Sequence, residues 1–265
     1  MTFDGTIGLV TGAASGIGRA TAELLAGEGA TVAVLDVHDR GGNGTIDAIT
    51  AAGGSAPYIN CNVEHPNEIE DPINTVVARY GRLDWAHNNA GVSGAGVTTD
   101  ALTVEQWDKV MRIDARGAWL SMRYELAVMR QQGRGAIVNT SSVCAFQAAQ
   151  QTSPYNAAKH AVVGMTKEAA IEFARLGIRV NAVRPGYTAH PWHSTPPHPR
   201  CGHKWRTASR WDDVANPRKS HKQWPGCFPI HPRTSPDTRS SLTAACSKKC
   251  TALQIKRQHE LVLMF

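Results

Sequence analysis

Over its first two thirds the chain alternates short apolar runs with stretches whose apolar positions recur at helical spacing. Residues 7–10 form a compact apolar run, a glycine-rich turn follows, and residues 18–27 read as a helix that Gly29 ends. The same rhythm predicts strands at 31–35, 58–61, 83–87, 136–139 and 179–183. Helices are predicted at 44–52, 69–80, 104–130 and 155–175. Six strands separated by helices imply an α/β protein, a three-layer doubly wound parallel sheet. In such a sheet ligands gather at the carboxyl ends of the strands.

Composition divides the chain rather than describing it as a whole. Residues 189–265 hold 13 of the 28 Lys+Arg but four of the 22 Asp+Glu, so all of the net +6 charge comes from this part. They also hold nine of 14 prolines, four of seven tryptophans and four of six cysteines. The basic excess therefore says little about the body, and nucleic acid or a membrane is not expected as its partner. Cys61 and Cys144, the two cysteines of the body, lie in apolar context and read as reduced thiols. The opening Met1-Thr2-Phe3-Asp4-Gly5 has no charged segment followed by an apolar one, and no run approaches a membrane span. A soluble, cytoplasmic protein is expected.

Candidate chemistry begins at Gly12-Ala13-Ala14-Ser15-Gly16-Ile17-Gly18, which joins the first strand to the first helix. Glycines permit a tight turn and close approach of a pyrophosphate, whose charge the N–H groups of the helix start attract. Asp36 ends the second strand, where a carboxylate can accept hydrogen bonds from an adenosine ribose; a strand-end Asp can also cap its own turn. A 2′-phosphate would meet like charge at Asp36, with no Arg or Lys among Ala13, Ala14 and Ser15 to offset it. NAD is therefore expected over NADP. Tyr155 and Lys159 stand four apart on a predicted helix and share a face. A nearby ammonium favours the phenolate and brings a phenol toward the working range for proton transfer. Ser142, just past the fifth strand, can hydrogen-bond a substrate oxygen as charge develops on it.

Taken together, TGxxxGIG from Thr11, Asn88-Asn89-Ala90-Gly91, and Tyr155-x-x-x-Lys159 resemble the classical short-chain dehydrogenase/reductase family, over residues 1 to about 188. The resemblance implies a Rossmann fold and an NAD-dependent oxidoreductase that moves a hydride between nicotinamide and a secondary alcohol or ketone. It assigns catalysis to Ser142, Tyr155 and Lys159. Cofactor binding falls to Gly12, Ser15, Gly16, Ile17, Gly18, Asp36, Asn62, Val63, Asn89, Ala90, Gly91, Tyr155, Lys159, Pro185, Gly186 and Thr188. No metal is implied, and a homotetramer is. Asp114 stands where the family commonly has an Asn; a carboxylate only accepts hydrogen bonds where an amide also donates, so Asp114 joins the catalytic set as a departure.

Beyond Thr188 neither hydrophobic period is visible. Codons rebuilt from the third base of one residue and the first two of the next are largely fixed by the sequence itself. Thr234 to Ala245 then permits VTGHSLVVDGG, and Trp211 to Cys227 permits GRRGQPEEVAQAVAWL. Both strings resemble the family's C-terminal part, in order. The expectation is a base gained or lost near codon 188. Residues 1–188 would be the NAD-binding catalytic domain, and 189–265 an out-of-frame, disordered tail that leaves the last strand and helices missing and the tetramer in doubt. The nucleotide sequence around that codon decides the matter. Two other readings stand beside this one: a cofactor-binding pseudoenzyme, and a basic zinc- or nucleic-acid-binding tail using Cys201, His203, Cys246 and Cys250.

Overall fold

The computed structural model describes residues 3–186. Thr188, the segment 189–265 and the possible zinc ligands within it lie outside the described residues. Six strands form one sheet: β1 (Ile7–Thr11), β2 (Thr31–Asp36), β3 (Tyr58–Asn60), β4 (Trp85–Asn88), β5 (Gly135–Thr140) and β6 (Ile178–Val183). Their order is β3-β2-β1-β4-β5-β6 and every pairing is parallel, as the alternation predicts. The direction of winding reverses between β1 and β4. A crevice therefore opens at their carboxyl ends, where Thr11 and Asn88 stand.

Side chains alternate across the sheet and supply two cores. Leu9, Ala33, Leu35 and Ile137 pack on one face with Ile69, Ile73 and Val76 of α3 (Pro66–Tyr80). Val10, Val32, Val34 and Val138 pack on the other with Ala22, Leu25 and Ala26 of α1 (Gly16–Gly27) and Ile49 of α2 (Asp39–Ala51). No helix among the described residues is long and apolar enough to cross a membrane.

All five predicted helices start earlier than expected or are interrupted inside. α2 starts at Asp39, five residues ahead of expectation, although Gly41, Gly42 and Gly44 depress helix propensity. Gly42 lies under the Tyr58 ring with no room for a Cβ, so packing overrides propensity there. The stretch 104–130 is three pieces: α4 (Val104–Val110), a π-helical segment (Met111–Gly117) and α5 (Ala118–Gln132). α4 opens with a capping box in which Thr103 and Gln106 exchange side-chain to backbone bonds. α6 (Ser153–Phe173) begins two residues before Tyr155, with Pro154 in its first turn, where the missing N–H costs nothing.

Candidate active site

The glycine turn is closed by backbone conformation and by the two residues that follow β4. Gly12 lies in the left-handed region at φ +64°, and a Cβ on it would sit 2.8 Å from the Ala90 Cα. The Asn89 amide donates to Thr11 O (3.3 Å) and Gly12 O (3.1 Å), while the Asn89 and Ala90 N–H groups donate to Thr11 Oγ1. α1 follows with Ser15 as N-cap, whose side chain makes no cap bond, and with no acidic residue in its first turn. The helix start thus keeps its positive end and its N–H donors for an anion. At Gly18 a Cβ would fall on the Gly12 carbonyl oxygen and 2.6 Å from the Asn89 amide nitrogen. Gly18→Ala is therefore expected to force the turn apart and abolish dinucleotide binding; calorimetric titration with NAD checks it, and unchanged affinity would refute it.

Asp36 is buried at the end of β2. Its Oδ2 accepts from Ala14 N–H and its Oδ1 from His38 N–H, each at 2.9 Å. The carboxylate thus does cap its own turn, and it braces the glycine turn as well. Each oxygen keeps a second lone pair for another donor. Asn62 Oδ1 accepts from Glu64 N–H at 3.0 Å, and Val63 packs against Gly117 of the π-helical segment. Arg112 pairs with Glu64 at 3.1 Å, and Arg116 donates to the Glu64 carbonyl, which ties this loop to the same segment.

Three of the four catalytic candidates converge. Lys159, 3% exposed, donates to Thr140 O (3.2 Å) and pairs with Asp114 Oδ2 at 3.0 Å; its ammonium lies 5.3 Å from the Tyr155 ring centroid. Asp114 Oδ1 accepts from Val92 N–H at 2.7 Å. Burial alone would push the Lys159 ammonium down, but the Asp114 carboxylate and Tyr155 outweigh it and hold it above the ordinary lysine value. Burial lifts the Asp114 carboxyl above the ordinary aspartate value, and Lys159 and the Val92 N–H, which favour the charged form, offset part of that.

Gly91 joins the two halves of the site. A Cβ there would lie 2.9 Å from Asp114 Oδ2 and 3.2 Å from Lys159 Nζ, two residues after Asn89 grips the glycine turn. Ser142 stands apart from the tyrosine in its bonding: its Oγ accepts from Cys144 N–H at 3.2 Å, capping the short helical turn Val143–Ala145. Behind it, Val143 N–H donates to Pro185 O and Ser141 N–H to Val183 O, so Pro185 and Gly186 flank the Ser142 loop.

A buried polar set behind the site is absent from the sequence reading. The Asn88 amide donates to Glu125 Oε2 (2.9 Å) and Asn139 Oδ1 (3.0 Å), and Asn139 donates to Thr166 of α6. His87 Nε2 bonds Thr140 Oγ1 at 2.8 Å, and burial drives its pKa down to about 3, so it is neutral. His87 and Asn88 within an apolar strand, and Glu125 among Met122, Leu126 and Met129, were the available signals.

Comparison with known proteins bears on the same residues. A family model described as enoyl-(acyl carrier protein) reductase matches residues 12–219, which extends the likeness past Thr188. A cyclohexanol dehydrogenase of Acinetobacter sp. (strain SE19) is 40% identical over 189 residues, 71% of this chain and 75% of that protein. The crystal structure of a levodione reductase superposes with TM-score 0.70 at 38% identity, covering 71% of this chain and 74% of the other. An NAD+-bound xylitol dehydrogenase superposes with TM-score 0.69 at 32% identity, covering 71% and 72%.

Proposed function

Because the chain belongs to the short-chain dehydrogenase/reductase family and is an oxidoreductase of that type, we propose that it uses NAD and interconverts a secondary alcohol and its ketone. The observation that carries this reading is the buried Lys159 ammonium beside the Tyr155 ring, linked through Gly91 and Asn89 to the glycine turn. The cradle suits a dinucleotide: a Cβ on Gly12 or Gly18 would fill it, and the α1 N-terminus is left positive. When bound, the nicotinamide supplies or accepts the hydride.

The chain's own residues handle the proton. The Tyr155 hydroxyl gives a proton to the carbonyl oxygen in reduction and takes it back from the alcohol in oxidation. Lys159 favours the phenolate through its charge, and Ser142 Oγ donates to the substrate oxygen as negative charge grows there. Gly12, Ser15, Gly16, Ile17 and Gly18 would cradle the pyrophosphate, with Asn62 and Val63 toward the adenine and Ala90, Gly91, Pro185 and Gly186 toward the nicotinamide.

Support for NAD over NADP comes from charge at the end of β2. Beside Asp36 stands Asp39, whose Oδ1 accepts from the Asn60 amide and the Tyr58 hydroxyl at 2.7 Å each. Those bonds, Asn60 first, hold its carboxyl below the usual value. Two ionised carboxylates would repel a 2′-phosphate. The names of the relatives point to a cyclic secondary alcohol as the first substrate to try. The test is cofactor reduction, followed by absorbance, with cyclohexanol and related alcohols under NAD or NADP. Turnover with at least roughly tenfold preference for NAD is expected, and Asp36→Ala should narrow that preference. Tight NAD binding without turnover on any alcohol would favour the pseudoenzyme reading.

A further inference from the structure

We infer that Asp114 is a positioning residue: its carboxylate is a fixed counter-charge to Lys159 that keeps the Tyr155 phenol protonated to higher pH and so sets the pH window of proton transfer at the site. The inference rests on the reading of Tyr155 as the proton-transfer group.

An unpaired ammonium beside a phenol stabilises the phenolate. Here the ammonium is met at 3.0 Å by a carboxylate that is itself 1% exposed, so the two form a close neutral pair. The field of such a pair falls off faster with distance than that of a lone charge, and at the 5.3 Å of the Tyr155 ring much of the ammonium's pull is cancelled. Nothing about the pair is loose. The π-helical segment carries Asp114 into the interior, the Val92 N–H holds Oδ1, and both charged groups border Gly91, where a side chain would meet them.

Other charged groups nearby are turned elsewhere. On the same segment Arg112 and Arg116 reach Glu64, and on α6 His160 bonds the Asn156 carbonyl. From β4 and α5, His87 is committed to Thr140 and Glu125 to Asn88; Thr140 at the end of β5 and Ser141 and Ser142 just after it bring hydroxyls. Among the described residues, Asp114 and then Tyr155 act on Lys159 through their charge. The consequence is directional. Carbonyl reduction needs the phenol and persists to higher pH, whereas alcohol oxidation needs the phenolate and starts only at higher pH.

The experiment is an ultraviolet difference titration of the full chain, in which subtracting Tyr155→Phe isolates the Tyr155 ionisation; no substrate is needed. In Asp114→Asn, subtracted by its own Tyr155→Phe double variant, the midpoint should fall by about one pH unit or more. Asp114→Ser, a second neutral variant, should move it the same way, and Asp114→Glu, which keeps the charge, should hold it near wild type. The acidic limb of kcat/KM for alcohol oxidation should shift with it. A midpoint unchanged or raised in both neutral variants overturns the inference. A lowered midpoint in a protein that turns over no alcohol supports the counter-charge and removes the enzymatic reading instead.

Discussion

Replacing Tyr155 by phenylalanine is expected to lower kcat for alcohol oxidation by about 10²–10⁴-fold, the contribution of a positioned proton-transfer group, while NAD still binds. The substitution deletes one oxygen. The ring packs against the buried Val110, Ala115 and Ala158, and those contacts survive in phenylalanine, as does the first turn of α6 set by Pro154. Lys159 is a less informative target. Removing its ammonium leaves the Asp114 carboxylate buried without a counter-charge, which costs about 3–5 kcal/mol and confounds chemistry with folding. Steady-state kinetics alongside a thermal melt make the check: a large fall in kcat at unchanged melting temperature is expected. Full activity in Tyr155→Phe would remove the tyrosine from the mechanism.

The residues of this prediction were legible because local rules suffice to place them. Tyr155 and Lys159 sit one helical turn apart, and any helix through them brings them to one face. The glycine turn was equally readable, since a strand, a tight turn and a helix start are each written in a short window. Asp114 was readable as a departure but not as a partner. It is 45 positions from Lys159, and the pairing depends on a π-helical segment that no apolar period announces. Asp36 shows the opposite case. Its place at the strand end was clear, yet its bonds to the Ala14 and His38 N–H groups depend on how the glycine turn folds back over β2. α2 starts at Asp39 rather than at 44 because the Tyr58 ring packs over Gly42, a tertiary contact that the local pattern does not show.

Glu125 belongs to the illegible part, and it carries the second large effect: stability should fall as pH rises from about 4.5 to about 8, and Glu125→Gln should abolish that slope. Glu125 is fully buried on α5; its Oε2 accepts from the Asn88 amide, while its Oε1 has no partner. Burial pushes its carboxyl up to about 8, against the pull of the Asn88 hydrogen bond. In the unfolded chain the carboxyl returns to the ordinary 4.5. Between those values the folded state holds a proton that the unfolded state has lost, so each pH unit upward removes about 1.4 kcal/mol. Below 4.5 the contribution is complete; above 8 it is gone. The whole window amounts to several kcal/mol, a large share of the ~5–15 kcal/mol that holds a domain folded. Gln keeps the acceptor for Asn88 and offers a neutral donor to the buried, unpartnered Asn88 Oδ1. Denaturant titrations at intervals from pH 5 to 8.5 measure the slope. Equal slopes in wild type and Glu125→Gln would show that Glu125 is ionised in the folded protein. Because Asn88 precedes the Asn89 that grips the glycine turn, and reaches α6 through Asn139 and Thr166, ionising Glu125 strikes the elements that hold the site together. NAD affinity is therefore expected to weaken as pH rises through about 8, where Glu125 loses its proton in the folded protein.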